Sequence, residues 1–383
     1  MIYLDNAATS FPKPESVYQA MDHFARHSLA NPGRSGHRMA LASERILDDT
    51  RHLLNTLFQG ESPDRWVFTL NCTDALNMAI KGLVNPGDHV ITSDLEHNSV
   101  SRPLRALEKL GQIRLTRVES HDGYLNPEEV VAAITPETRL VVLTHAANVL
   151  GTVQPIEPIA HAVRAAGGFM LLDAAQSAGV IDINLSRLPI DMLAFPGHKA
   201  LYGPTGTGAL YVGPRVSLRP WREGGTGGDS STETQPDTMP YKLEGGTPNV
   251  LGLAGLKAGL EWVLQRGVEA SRIHEVQLLQ TVVDWVSDHS DLWGIAGAWD
   301  PARHVGALSL RPPQGLAPSE LGAILDTSFA IAIRPGLHCA PYIHKRLGSF
   351  PDGLLRISPG PFNTESDIDT FLSALSDITD SLI

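Results

Sequence analysis

The chain has 383 residues, 42% hydrophobic content and a formal net charge of −12. That is enough chain for a large core, and the acidic balance excludes the basic footprint of a nucleic-acid binder. No apolar run approaches eighteen residues, so no membrane span is expected, and two cysteines (Cys72 and Cys339) make no disulfide framework. The start, Met1-Ile-Tyr-Leu-Asp5, lacks the basic region of a secretory signal, and a reduced, cytoplasmic protein is expected.

In chain order, residues 2–5 read as extended, and Pro14-Glu15 opens a helix. Asn31-Pro-Gly-Arg-Ser-Gly-His37 reads as a loop. A long helix follows from about Met39 to Phe58, with Ile46, Leu53, Leu54 and Leu57 on one face. From residue 65 short apolar runs recur: 66–69, 89–92, 113–118, 140–144, 169–172, 192–195 and 209–212. Between them, Asn126-Pro-Glu-Glu129 is a capped helix start, and a helix over 157–166 stops at Gly167-Gly168. Seven strands with crossover helices predict an α/β fold on a mostly parallel sheet, with ligands at the strand carboxyl ends. Residues 213–250 carry few element signals. Helices resume at Leu251 and over 270–290, and strands are expected at 303–311, 329–333 and 354–358 before a closing helix at Thr364-Glu365. The predicted division is a large unit over 15–255 and a smaller α+β unit made of 1–14 and 256–383.

The unusual polar residues fall just after the apolar runs. Lys199 leaves the run 192–195 under a Gly/Pro-rich loop, which reads as a plain surface lysine in a turn or as a desolvated, neutral and nucleophilic amine. Asp173 ends the run 169–172, and a carboxylate there needs a partner or a capping role. Asn71-Cys72-Thr73 is a strand-to-helix turn suited to a phosphate or to a plain N-cap. His97 and Asn148 follow two further strands. Arg356 is a charge inside an apolar strand, which calls for an anion or a structural ion pair. Cys339 lies in a Gly/Pro-rich loop near Arg334 and His338, a setting that suits a reactive thiol or an inert small hydrophobe.

These stretches resemble the cysteine desulfurases of the class V aminotransferase group, fold-type I enzymes that use pyridoxal 5′-phosphate (PLP). The resemblance rests on Tyr3-Leu-Asp-Asn-Ala-Ala8, Glu96-His97, Asn148-Val-Leu-Gly-Thr152, Asp173-Ala-Ala-Gln176, Gly197-His-Lys199, Tyr202-Gly-Pro-Thr-Gly206, Gly245-Gly-Thr-Pro-Asn249 and Arg334-Pro-Gly-Leu-His-Cys-Ala340. The cysteine loop is similar to that of the type II, selenocysteine-lyase-like branch. Arg222-Glu-Gly-Gly-Thr-Gly-Gly228 and Ser358-Pro-Gly-Pro-Phe-Asn363 look like a less characterised bacterial subgroup.

The resemblance implies that Lys199 is the Schiff-base lysine, that Asp173 partners the pyridine nitrogen and that Gln176 donates to the ring oxygen. His97 would stack on the ring, and Cys72, Thr73 and His198 would serve the phosphate. Thr247 would reach the phosphate from the other subunit, which implies a homodimer with shared active sites. Asn148, Arg356, Arg334, Ala8 and Asn31 would serve the substrate, and Cys339 would take its sulfur as a persulfide. The implied reaction converts L-cysteine to L-alanine, with a sulfur-acceptor protein downstream. The alternatives are a selenocysteine lyase acting on L-selenocysteine, or another C–S lyase or aminotransferase of this fold. Three departures from the family pattern stand out. Pro196 replaces a common phosphate-binding hydroxyl residue, Asn71-Cys72 replaces small or hydroxyl residues, and Gly33 precedes Arg34 where type II relatives often carry histidine.

Overall fold

A computed structural model describes residues 1–33, 36–227 and 231–381. Arg34 and Gly228, both named above, lie outside the described residues. The chain begins with β1 (Ile2–Tyr3), α1 (Glu15–His27) and α2 (Arg38–Phe58). It continues through β2 (Trp66–Thr69), α3 (Cys72–Leu83), β3 (Asp88–Ser93), α4 (Asn98–Lys109), β4 (Ile113–Val118), α5 (Pro127–Ala132), β5 (Thr138–Thr144), α6 (Ile156–Ala165), β6 (Phe169–Asp173), β7 (Met192–Pro196) and β8 (Gly208–Val212). Then come α7 (Val250–Arg266), α8 (Val268–Asp288), β9 (Gly294–Ile295), β10 (Leu308–Arg311), α9 (Pro318–Phe329), β11 (Ile331–Ala332), β12 (Arg334–Gly336), α10 (Pro341–Arg346), β13 (Leu354–Ile357) and α11 (Glu365–Asp380).

All seven expected strands lie in one sheet of order β2-β8-β7-β6-β5-β3-β4. The pairings among β7, β6, β5, β3 and β4 are parallel, and β8 runs antiparallel to both neighbours. A loop without a helix joins β7 to β8, and only a helical crossover would bring the chain back parallel. The strands are apolar on both faces. Leu140 and Val142 of β5 pack into one core, whereas Val141 and Leu143 pack into the other. Alternation places successive side chains on opposite faces, so a continuous apolar run marks a sheet covered on both sides.

A third core joins α8 and α11 to β10 and β13, through Leu279, Val282, Phe371, Leu310 and Leu355. Here the sequence reading needs correction. The strand expected at 303–311 is only Leu308–Arg311, because Pro301 opens a 3₁₀ turn under the Asp300 side chain. The strand expected at 329–333 shortens to β11, since α9 runs to Phe329 and stops at Ala330 in the left-handed region. Two short strands, β9 and β12, carry too few residues to show a pattern, yet they complete a sheet of order β12-β13-β10-β9. No helix among the described residues is long and apolar enough to cross a membrane.

Candidate active site

The carboxyl ends of β2, β3, β5, β6 and β7 converge on a cavity of about 200 Å³. Strand order reverses between β3 and β5, the position at which a doubly wound sheet opens a crevice for a ligand. Lys199 and Asp173 both line this cavity. Gly197 lets the turn before the lysine lie against Thr207, whose Oγ1 would stand 2.3 Å from any added Cβ. Burial lowers the Lys199 amine to about 8, with the Arg356 charge acting in the same direction and Asp173 opposing both. A minor neutral fraction is therefore present at pH 7, far above that of an ordinary lysine.

Asp173 is 2% exposed, and burial raises its carboxyl above the usual range. Two donors meet its Oδ1: the Ala175 N–H at 2.9 Å and the Cys72 thiol at 3.6 Å. No donor among the described residues meets Oδ2, which leaves a lone-pair face for a cationic ring nitrogen. The Cys72 thiol is itself pushed well up, chiefly by burial, so it stays protonated and donates. This side-chain contact is a finding beyond the sequence reading, which placed Cys72 only in the phosphate turn.

That turn starts α3. Asn71 caps it by accepting from the Asp74 N–H at 2.9 Å, and the free N–H groups of the first turn face the cavity end of the helix. Thr73 Oγ1 lies 2.6 Å from Ser99 Oγ, which in turn lies 2.9 Å from His97 Nδ1. Ser99 was missed in the sequence because a serine in the first turn of a helix looks like any other. Burial first, then the Lys199 charge, lowers His97 to about 4, so its ring is neutral. His198 is lowered to about 4, also mainly by burial, and its Nδ1 meets Thr9 Oγ1 at 3.1 Å. Gln176 spends one amide N–H on the Ala7 carbonyl at 3.1 Å, and Ala8 lines the cavity beside it.

Arg356 satisfies the structural expectation as well as lining the cavity. It is fully buried, with Nη2 on Asp5 Oδ1 at 2.8 Å and Nη1 on the Asn148 carbonyl at 3.0 Å, while its Nε has no partner. Arg334 stands opposite Arg356 across the β12–β13 ladder and also lines the cavity, so two guanidinium groups face one space. That pairing costs energy through like-charge repulsion and suits a carboxylate guest. Cys339 lies outside the cavity lining and is exposed, with its Sγ 3.7 Å from Arg334 Nη2. Arg334 thus bridges the thiol and the cavity. Two predicted residues are not brought to Lys199. Asn31 and Thr247 are exposed in a separate cleft of about 320 Å³, together with Arg222 and Glu244.

The fold and this arrangement of lysine, acid and helix start define the aminotransferase class-V family, whose model matches residues 2–371, and the chain belongs to it. Within that family, a probable cysteine desulfurase of Methanothermobacter thermautotrophicus is 33% identical over 98% of this chain and 94% of its own length. The apo structure of a cysteine desulfurase from Thermococcus onnurineus superposes with a TM-score of 0.93 at 30% identity, covering 99% of this chain and 95% of the other. An Escherichia coli cysteine desulfurase in an S-sulfonic acid form gives 0.89 at 28% identity, covering 100% and 95%.

Proposed function

We propose that this chain is a cysteine desulfurase that binds PLP at Lys199 and moves sulfur from L-cysteine to Cys339. The observation that carries the reading is one cavity shared by a lysine with a lowered pKa and a buried acid, with a thiol one guanidinium away. The residues fit the cofactor. Asp173 Oδ2 would face the ring nitrogen, His97 would lie on the ring, and the start of α3 with Thr73 and His198 would hold the phosphate. When bound, PLP supplies an electron-poor ring that takes up the electron pair released at the substrate α-carbon.

The chain's own groups do the rest. Arg334 and Arg356 orient the substrate carboxylate, and Lys199 Nζ removes the α-proton and later returns one. The Cys339 thiolate attacks the substrate sulfur. A new S–S bond forms, the substrate Cβ–S bond breaks, and protonation of that carbon yields L-alanine and a Cys339 persulfide.

Asn31 and Thr247 lie away from their own chain's Lys199, which supports a homodimer in which they complete the partner's site. Sedimentation of the protein, and weaker PLP retention by Thr247→Val, test that arrangement. We also propose two structural units, with one adjustment to the expected boundary at 255. That position falls inside α7, whose Leu256, Leu260 and Val263 share the core of the large sheet. Gly267, where α7 ends, is the better division.

The decisive experiment adds L-cysteine, without reductant, to PLP-loaded protein and looks for a 32 Da adduct on the Cys339 peptide, with alanine release. The expected result is the adduct in wild type and none in Cys339→Ala. Turnover that survives Cys339→Ala overturns the persulfide route. In protein stripped of cofactor, the rate of visible-band growth on adding PLP should rise as pH passes through about 8, as Lys199 becomes neutral.

A further inference from the structure

The Cys339 segment is held in a conformation its residues do not favour. His338 and Cys339 are consecutive non-glycine residues with φ of 50° and 58°, both in the left-handed region. Each costs free energy there and persists only when neighbours over-determine it. The restraints are visible. Asn148 Nδ2 donates to the His338 carbonyl at 2.6 Å, and the Asn98 N–H, at the start of α4 next to His97, donates to the Cys339 carbonyl at 2.7 Å. The His338 ring adds a third tie through Nε2 to the Arg334 carbonyl at 2.9 Å. Asn148 is itself fixed from behind by Arg356 Nη1 on its carbonyl, and its side-chain Oδ1 is buried without a partner.

We propose that Asn148 is a positioning residue for Cys339: its amide grips the His338 carbonyl and, with the Asn98 N–H, holds the thiol against Arg334 at the rim of the Lys199 cavity. This deepens the desulfurase reading and rests on it. It adds to the role that the family resemblance implies, since one of the two amide N–H groups is committed to the loop and the other stays available at the cavity wall. The two arginines supply the positive charge of that wall. The chain of contacts is continuous, from Asp5 to Arg356, to the Asn148 backbone, through its side chain to His338, and so to the thiol. Substrate anchoring and nucleophile placement then share one buried guanidinium.

The test uses PLP-loaded wild type, Asn148→Ala and Asn148→Asp. The aspartate keeps the shape but replaces the donor with an acceptor, so it remains informative if the alanine variant folds poorly. Amide hydrogen exchange over residues 337–340 and the rate of Cys339 alkylation by iodoacetamide are read alongside kcat, KM for L-cysteine, and L-alanine affinity from the cofactor absorbance. Loss of one backbone-directed hydrogen bond should speed loop exchange and alkylation roughly three- to tenfold. The proposal expects kcat to fall together with the faster loop exchange and alkylation. Weakened L-alanine affinity with unchanged loop exchange overturns it and assigns Asn148 to the substrate. Unchanged values throughout also overturn it. If wild type forms no adduct on Cys339 while the loop still loosens in the variants, the desulfurase reading fails and the clamp stands.

Discussion

At the end of β7 the chain places Lys199 in a partly buried turn among groups whose protonation is set by burial, with Asp173 raised and His97 and His198 both neutral. At the rim of the same cavity, Cys339 is exposed on a strained loop held by hydrogen bonds to its backbone. In the proposed reaction the lysine would present a neutral amine, which desolvation favours; a rigid strand end between two apolar cores is the structure that desolvates it. In the same proposal the thiol would deliver sulfur onward, which a buried thiol could not. Cys72 shows that alternative: buried in the cavity wall under Asp173, it stays protonated. The two groups assigned to one proposed reaction thus sit in opposite environments, and the fold supplies them from different sheets.

Substitutions at the two ends should fail differently. Cys339→Ala abolishes the persulfide while the cofactor band stays, and any residual adduct at another residue would break the division of labour; mass spectrometry of the L-cysteine-treated protein decides. Lys199→Ala should lower turnover by roughly 10²–10⁴-fold, the range for a lost acid–base group, and leave Cys339 alkylation by iodoacetamide unchanged. A changed alkylation rate would mean that the lysine also shapes the loop.

A smaller effect separates the shared guanidinium from both ends. Asp5→Ala leaves Arg356 buried beside Asn148 without its carboxylate, and removing one partner of a buried pair costs about 3 kcal/mol. A shift in the urea midpoint measures it; no shift would show that the ion pair stabilises little.

A separate, pH-dependent effect concerns the acid behind the lysine. Glu275 shares a second, small cavity with Lys199, and burial lifts its carboxyl to about 8. Unfolded, it ionises near its ordinary 4.5, so between 4.5 and 8 the folded state holds a proton that the unfolded state has released. Its contribution to stability is full below 4.5 and is lost as pH rises through 8. Glu275→Gln should flatten that part of the curve of melting temperature against pH, and an unchanged slope would assign the slope to another group.

Much of this was legible in the chain. The seven apolar runs became the seven strands of one sheet, because residues buried on both faces leave an unbroken apolar signal. Asp173 and Lys199 were legible because a charge at the end of such a run demands an explanation, and both ends converge wherever parallel strands point the same way. The short strands β9 and β12 were not legible, since two or three residues have no period. Neither was the partnership of Cys72 with Asp173, of Arg356 with Asp5, or of Asn148 with His338. Those contacts join residues 101, 351 and 190 positions apart, and no local pattern encodes them. By itself, then, the sequence singled out the groups proposed to carry the chemistry, through hydrophobic period and the chemical oddity of single residues. Only the tertiary structure decided which of them are neutral, which are restrained and which are separated from Lys199 as Asn31 and Thr247 are. Burial and hydrogen-bond partnership are properties of the packed neighbourhood, and distant segments build that neighbourhood.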